Sequence, residues 1–320
     1  MHKQFYTIPL MLLLVFFMNG CNKKEEELKI GISPWPGYEA LIFAMEKGFY
    51  NDLNVRIIRF ATPSESFRAL RDNVVDVAAF TADEVLRYAQ MKNQPKIFLI
   101  LDISNGGDAI VARPEIKSLN DLKGKRVSIE PSALGDYLIH RAMDFTDDLT
   151  VNDFKISTNE IGKQVKLYKA GQVDALVTYE PFSSQLIKCG AHVIFDSTQI
   201  PNEIVDILVT EDKTLKNRSE ALKKVIKGWY KALEYIKNNK QEAMMRMASY
   251  EHISADAFEK SYDMLTIPSK EETRHMLNLQ NTSFKNSFYK LSELMHAKGT
   301  IKTHINTTAL LDVTLLEESE

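Results

Sequence analysis

The amino-acid sequence predicts an α/β protein built from two successive units of alternating strands and helices, followed by a helical region. The chain has 320 residues, of which 44% are hydrophobic and 26% charged, so it can bury one large core or two ordinary ones. Short apolar segments alternate with helical segments, and the alternation restarts after Arg113. From Ser219 onward, long helices with mixed charged faces replace it, and they are predicted at roughly Ser219 to Asn238, Lys240 to Tyr250, Ala255 to Leu265 and Glu271 to Ala297.

The first twenty residues have the pattern of an export signal. Lys3 precedes an almost wholly apolar run from Ile8 to Met18, and Gly20 stands where a signal peptidase expects a small residue. The run is too short to cross a bilayer comfortably as a permanent helix. Residues 1–20 are therefore predicted to be a signal peptide that is removed from the mature protein.

Cys21 is the candidate site of lipid attachment. Met18-Asn19-Gly20-Cys21 resembles a bacterial lipobox, in which the signal is cut before the cysteine and the new N-terminus is acylated. Residues 21–27 then form a short polar tether to the cell membrane. The folded part is expected on the side that faces the periplasm or the cell exterior. An ordinary secretory signal that contains a cysteine is the alternative. The other cysteine, Cys189, is interpreted as a small packing residue.

The first α/β unit begins at Leu28. Thr62-Pro63-Ser64-Glu65 fits a capping box with proline at the first helical position, and Thr81 with Glu84 fits a second capping box. A parallel βαβ sheet is the expected product of this order. The predicted strands are Leu28 to Ile32, Val55 to Phe60, Val74 to Phe80, Lys96 to Leu101 and Asp108 to Ala112, and the predicted helices end at Lys47, Arg71 and Gln90.

The second unit repeats the pattern over residues 113–204. A strand from Ile204 to Thr210 then crosses back to the first unit. The predicted organisation is a first lobe of residues 28–112 and 205–320 and a second lobe of residues 113–204. The second unit's strands are Arg126 to Glu130, Phe154 to Ser157, Val173 to Thr178 and Ala191 to Asp196, and its helices are Leu134 to Phe145, Asn159 to about Gly171 and Pro181 to Lys188.

Five segments together resemble the nitrate/taurine/aliphatic-sulfonate group of ABC-importer solute-binding proteins, which is similar in fold to thiamin-pyrimidine precursor binders and synthases. The resemblance implies a two-lobed type II periplasmic binding protein, each lobe a mostly parallel sheet flanked by helices, with the ligand in the cleft between the lobes. It also implies an ABC permease and ATPase as partners. The segments are Leu28 to Tyr50, Val74 to Glu84, Ser104 to Ala112, Ser118 to Glu130 and Ala170 to Phe182.

The candidate ligand-binding residues lie at the ends of predicted strands, where loops enter helix N-termini. Trp35 and Tyr38 offer aromatic faces, and Gly37 permits close backbone approach; a rigid turn packed on a helix is the alternative. Ser132 opens a helix in the second lobe, where free N–H groups suit an oxygen atom. For Ser64 and Thr81, helix capping is the alternative. The predicted set is Trp35, Gly37, Tyr38, Ser64, Thr81, Asp83, Asp108, Ser132, Leu134, Gly135, Tyr179 and Glu180.

Three acidic residues, Asp83, Asp108 and Glu180, adjoin these loops. If two of them face the cleft, they disfavour a bare anion such as nitrate and favour an amine, a guanidine or an aminopyrimidine-like ring. No arginine falls inside the loops, so a strongly anionic ligand would depend on backbone N–H groups. A hinge turn at Asp108 and a helix cap at Glu180 are the alternatives. A sulfonate, an amine and an aminopyrimidine-like solute all stay open.

Other functional classes fit the sequence poorly. Forty basic and 43 acidic residues give a net charge of −3 without a basic face, so no nucleic-acid partner is expected. Two cysteines exclude a disulfide framework and a cysteine-rich metal site, and no cofactor or metal is expected. No GxSxG, GxxxxGK[ST] or HExxH pattern occurs, so the chain is predicted not to be an enzyme. We expect a monomer. The alternative function is a lipoprotein that reports ligand binding to a membrane sensor kinase or cyclase.

Overall fold

The computed structural model describes residues 26–91, 94–278, 280 and 282–317. The predicted signal peptide, Cys21 and most of the predicted tether lie outside the described residues, so the lipobox stays a prediction. No helix of the described part of the chain is long and apolar enough to cross a membrane.

Strands and helices alternate along the described residues, in two groups and then a helical region. The strands are β1 (Leu28–Ile32), β2 (Val55–Arg59), β3 (Val77–Thr81), β4 (Pro95–Ser104), β5 (Asp108–Ala112), β6 (Arg126–Ile129), β7 (Lys155–Thr158), β8 (Ala175–Tyr179), β9 (His192–Asp196), β10 (Val205–Glu211) and β11 (Leu265–Thr266). The helices are α1 (Glu39–Glu46), α2 (Pro63–Arg71), α3 (Ala82–Ala89), α4 (Ala133–Met143), α5 (Ile161–Lys169), α6 (Phe182–Lys188), α7 (Asp212–Asn217), α8 (Ser219–Asn238), α9 (Lys240–Tyr250), α10 (Ala255–Tyr262), α11 (Lys270–Leu277), α12 (Thr282–Ala297) and α13 (Thr314–Glu317).

The first lobe is built on a six-stranded sheet with the order β11-β4-β10-β3-β1-β2. Strands β2 and β3 both pair in parallel with β1. Strand β10 returns from the second lobe and lies antiparallel between β3 and β4, as the predicted crossing at Ile204 to Thr210 requires. All five residues of β3 are buried, which fits a strand covered by helices on both faces.

The second lobe is built on a five-stranded sheet with the order β7-β6-β8-β5-β9. The prediction placed Asp108 to Ala112 in the first lobe, but this segment is β5 and pairs with β8 and β9 of the second sheet. The chain therefore crosses between the lobes at residues 105–107, before β5, and Gly106 turns it there with a φ of +109°. Periodicity identified a buried strand but carried no information about which neighbours it pairs with.

Each sheet is mixed rather than mostly parallel, because one central strand enters it from the other lobe. These strands are β10 in the first sheet and β5 in the second, and both run antiparallel to their neighbours. As a result, the carboxyl ends of β3 and β8 lie beside the amino ends of β10 and β5. The cross-strand pairs at this edge are Thr81 with Asp206 and Tyr179 with Asp108.

The helical region covers the first lobe. Helices α8 and α9 have the bounds that the sequence predicts, and α8 buries Trp229 completely. A single helix was predicted from Glu271 to Ala297, whereas α11 ends at Leu277 and is followed by Asn278 in an extended conformation. The predicted helix from Ala255 to Leu265 ends earlier, because Leu265–Thr266 pairs with β4 as an added edge strand.

Candidate functional site

A cavity lies between the two lobes, at the edge where strand ends of both sheets meet. Its volume is about 30 Å³, which is enough for one or two groups the size of a water molecule. Both lobes supply its wall: the segment after β1 and the start of α3 on one side, the loop before α4 and the end of β8 on the other. The lining residues are Ser33, Pro34, Trp35, Tyr38, Pro63, Thr81, Glu84, Asp108, Ser132, Leu134, Tyr179 and Asp206.

Trp35 joins the two lobes and is fixed by a buried carboxylate. Its Nε1 donates to both carboxylate oxygens of Asp102, each at 3.1 Å. Its ring meets the ring of Tyr179 edge-on, with centroids 6.1 Å apart, an arrangement favoured between aromatic rings. A Cβ added to Gly37 would lie 1.9 Å from Asp102 Oδ2. Glycine at this position therefore lets the turn after β1 close over the Asp102 carboxylate.

Tyr38 makes the equivalent contact with a second carboxylate. Its hydroxyl donates to Asp206 Oδ1, and Asp206 stands directly opposite Asp102 on the neighbouring strand. Burial raises the pKa of Asp102 to about 7, with Asp108 adding to the rise. Burial also raises the pKa of Asp206 well above its usual value, and the charge of Asp102 raises it further.

Two further carboxylates lie at the cavity. Asp108 is 1% exposed, and its Oδ2 has no hydrogen-bond partner. Burial raises the pKa of Asp108 to about 7, and the charges of Asp83 and Glu180 oppose its ionisation. Glu84 accepts from the backbone N–H of Thr81 at 3.2 Å. Burial and the neighbouring Asp83 raise the pKa of Glu84 to about 8.

The cavity is acidic and has unsatisfied polar atoms in its wall. Within the described ranges, no lysine, arginine or histidine forms an ion pair with Glu84, Asp102, Asp108 or Asp206. The Tyr179 hydroxyl lacks a hydrogen-bond partner, as does Asp108 Oδ2. Because a buried polar atom without a partner costs free energy, these atoms are suited to a ligand that supplies the partner. A ligand with a positive charge or several N–H donors fits this wall best.

Seven of the predicted site residues line the cavity, namely Trp35, Tyr38, Thr81, Asp108, Ser132, Leu134 and Tyr179. Ser132 also caps α4, since its Oγ accepts from the N–H of Gly135 at 3.1 Å. Ser132 therefore lines the cavity and caps the helix, and its part in ligand binding stays a prediction.

The other five predicted residues, Gly37, Ser64, Asp83, Gly135 and Glu180, lie behind or beside the wall. Glu180 accepts from the hydroxyl groups of Ser184 at 3.0 Å and Ser261 at 2.7 Å, so its carboxylate is already occupied. Ser64 Oγ donates to the carbonyl oxygen of Pro131 in the second lobe at 2.7 Å. This bond links the lobes beside the cavity.

Three acidic residues at the site were missed by the sequence interpretation. Glu84 was assigned to a capping box alone, whereas it also lines the cavity. Asp102 and Asp206 lie inside the apolar strands β4 and β10. Asp206 was treated as part of its strand, and Asp102 was left just beyond a strand predicted to end at Leu101. A carboxylate inside an otherwise apolar strand is itself a signal, because aspartate is seldom fully buried without a specific partner.

Comparison with known proteins places the fold. A family model described as NMT1/THI5 like matches residues 35–243. Comparison with curated protein sequences finds no match. The periplasmic aliphatic sulphonate binding protein SsuA from Escherichia coli has a similar structure, with a TM-score of 0.74, 14% identity, and coverage of 90% of this chain and 92% of that one.

Two other similar structures differ in described role. The Candida albicans CA3427 gene product, described as having the generic periplasmic binding protein structural fold, gives a TM-score of 0.66 at 15% identity, covering 91% of this chain and 95% of that one. The desulfurization enzyme DSZB gives a TM-score of 0.67 at 13% identity, covering 91% of this chain and 98% of that one. The predicted two-lobed fold and the family resemblance are thus confirmed. The same fold also occurs in an enzyme.

Proposed function

Because the chain belongs to the NMT1/THI5-like family, we propose that it is an extracytoplasmic solute-binding lipoprotein, which captures a small organic solute between its lobes and delivers it to an ABC importer. The cavity between the lobes carries this proposal. Both lobes line it. Asp108 and Tyr179 pair across β5 and β8, and neither Asp108 Oδ2 nor the Tyr179 hydroxyl has a hydrogen-bond partner. Both residues belong to the second lobe, so a solute that supplies those partners and also contacts Trp35 or Thr81 of the first lobe bridges the two lobes.

Contacts between the lobes support a switch by closure. Ser64 donates to Pro131 across the mouth of the cavity. Ser261 Oγ of α10 donates to Glu180 Oε2 of the second lobe, and Thr300 Oγ1 donates to Asp136 Oδ2 at 2.8 Å. A solute bound between the lobes adds to these bonds and favours the closed arrangement, which a membrane partner can distinguish from the open one.

Charge and size bear on the three solute classes left open by the sequence. An ammonium group has about the volume of a water molecule and fits the existing cavity, whereas a sulfonate group requires the cavity to widen. The carboxylates of Asp108, Glu84 and Asp206 attract the first and repel the second. We therefore propose an amine, or another solute with N–H donors, as the group that enters this inner cavity.

The position of Glu26 supports attachment of the protein to the membrane on the side of the first lobe that lies away from the cavity. Glu26 accepts a hydrogen bond from Arg218, at the start of α8, through its backbone oxygen. It lies two residues before the amino end of β1, while the cavity lies beyond the carboxyl end of that strand. From Cys21 to Glu26 the chain reaches at most about 18 Å. A lipid at Cys21 would hold the back of the first lobe near the membrane.

A melting experiment tests the proposed function. The detergent-solubilised full chain is heated in the presence of amines, aminopyrimidines, alkylsulfonates and amino acids. A solute that binds the folded state alone raises the melting temperature in proportion to the logarithm of its concentration. A concentration-dependent rise with at least one class supports solute binding. An unchanged melting temperature across all four classes contradicts it.

A further inference from the structure

A second cavity opens beside the inner one and is lined by three arginines. Its volume is about 160 Å³. Arg68 and Arg71 come from the last turn of α2, and Arg87 comes from the last turn of α3. Two residues, Glu84 and Ser132, line both cavities, so the two spaces adjoin. The remaining lining residues are Ser64, Phe67 and Met91.

The arginines keep donor capacity that faces this space. Arg71 uses two nitrogens on the adjacent Asp72, at 2.8 and 2.9 Å. The guanidinium of Arg87 lies 5.7 Å from the centroid of the Phe67 ring. Arg68 is exposed, and its charge also acts on the Asp72 carboxylate. Each arginine also lies near a helix C-terminus, where the helix dipole favours a positive charge. The helix dipole alone does not explain why all three arginines line the same cavity.

We propose that this arginine cavity is a second subsite, which holds an acid group of the same solute whose cationic group occupies the inner cavity, so that the solute is a short zwitterion. The inference rests on the proposed function. The guanidinium fork is suited to carboxylate, sulfonate and phosphonate oxygens, because it donates two parallel hydrogen bonds. Ser64 and Ser132 also line this space, but the Ser64 hydroxyl already donates to Pro131, so the guanidinium groups are the main donors.

The order of the two subsites follows from charge and volume. The inner space of about 30 Å³ is walled by carboxylates and admits an ammonium group. The outer space of about 160 Å³ is walled by guanidinium groups and admits a group of three oxygens around sulfur or phosphorus. Because Glu84 and Ser132 border both spaces, a short linker is expected to join the two ends of the solute. The opposite orientation would place like charges together at both ends.

Calorimetric titration of the full chain with matched probes tests the subsite. The zwitterions are β-alanine, γ-aminobutyrate and homotaurine, the amines without an acid group are ethylamine and propylamine, and the acid without an amine is propanesulfonate. We expect the best zwitterion to bind at least about tenfold more tightly than the matching amine, and propanesulfonate to bind least. Arg68→Gln and Arg87→Gln should each remove most of the zwitterion's advantage without weakening the affinity for the amine, because neither removes a group that attracts a cation.

Arg56→Gln is the control variant. Arg56 is an exposed arginine of β2 that pairs with Glu27 and lines neither cavity, so its removal should leave every affinity as it was. All variants are melted without solute to verify folding. Amine and zwitterion binding equally well, or a zwitterion preference that survives both arginine substitutions, would overturn the second subsite while leaving solute binding intact. If none of these probes binds and no solute of the wider melting panel raises the melting temperature, both the second subsite and the proposed function are contradicted.

Discussion

Asp102 and Asp206 stand directly opposite each other on the antiparallel strands β4 and β10, and each accepts a hydrogen bond from an aromatic side chain of the segment after β1. Trp35 donates to the first and Tyr38 to the second. Two carboxylates this deeply buried repel each other when both are ionised. The pair therefore holds the aromatic side chains that line the cavity. It also makes the folding stability of the protein depend on pH.

The first prediction concerns pH and stability without solute. Burial raises the pKa values of Asp102 and Asp108 to about 7 and of Glu84 to about 8, above the usual values in an unfolded chain. The folded state then binds more protons, so the free energy of unfolding falls as pH rises from about 4 toward 8. The melting temperature should be higher at about pH 5 than at about pH 8. A profile that rises over this interval would contradict the buried acidic cluster.

Asp108→Asn should flatten that profile. Asp83, Glu180, Asp102 and Asp206 are the charged groups that act on Asp108, and an amide relieves their repulsion. Asp72→Asn is the matched control, because Asp72 is an exposed carboxylate whose pKa is lowered by its hydrogen bond with Arg71. That control should not flatten the fall between about pH 5 and 8. An unchanged slope in Asp108→Asn would show that Asp108 does not titrate in this range.

The second prediction concerns proton release. A cationic solute favours the ionised form of the cavity carboxylates, so it lowers their pKa values and expels protons near neutral pH. Titration of propylamine in two buffers with different ionisation enthalpies should give different observed heats. The affinity should also increase from about pH 6 to about pH 8. Identical heats in both buffers and an affinity independent of pH would argue against ionisation of the cavity on binding.

The third prediction concerns Gly37. Gly37→Ala brings a Cβ to within 1.9 Å of Asp102 Oδ2, and relieving that overlap is expected to cost about 1–3 kcal/mol of folding stability. In the background of Asp102→Ala the same change should cost much less, which a double-mutant cycle by chemical denaturation measures. Gly162→Ala is the control, because no atom lies within 4 Å of the added Cβ. Additive effects of the Gly37 and Asp102 changes would contradict this close contact.

The fourth prediction concerns Trp35. A loop position beside an open cleft would suggest little effect on stability, but Trp35 is 5% exposed and holds Asp102. Trp35→Phe keeps an aromatic ring and removes the donor, leaving a buried carboxylate with fewer partners, at an expected cost of about 1–3 kcal/mol. The loss should be smaller at about pH 5, where Asp102 is protonated. Equal losses at both pH values would assign the effect to packing alone.

The local sequence pattern was sufficient to locate most helices and strands along the chain. It was not sufficient to predict which strands pair with each other. The capping signals at Thr62 and Thr81 located α2 and α3, and α8 and α9 have the predicted bounds. Strand β5 was recognised and assigned to the wrong sheet, because pairing depends on contacts distant in sequence. All five of its residues are buried, and a fully buried strand has the same sequence pattern in either sheet.

The local sequence pattern likewise identified some residues of the candidate site and missed others. Loop positions such as Trp35 and Ser132 could be found at strand ends, where ligands gather in open α/β sheets. Asp206 is a strand residue, and Arg68 and Arg87 are helix residues, so a search restricted to loops omitted them. Asp102 was omitted because the predicted strand stopped one residue before it, whereas β4 continues to Ser104. Their convergence depends on how β10 and α3 pack against the rest of the first lobe, which no local pattern contains.

The affinity of the Asp108→Asn variant for an amine is the most direct measure of whether the cavity between the lobes binds the cationic end of a solute. Asp108 is buried, has an oxygen without a partner, and lines the cavity. Calorimetric titration of the full chain with propylamine, or with the tightest-binding amine of the panel, should show at least about a tenfold weaker affinity in Asp108→Asn than in the parent, because a charged hydrogen bond is replaced by a neutral one. The melting temperature at neutral pH should not fall. An affinity equal to that of the parent, in a variant that remains folded, would contradict binding of the cation at this cavity.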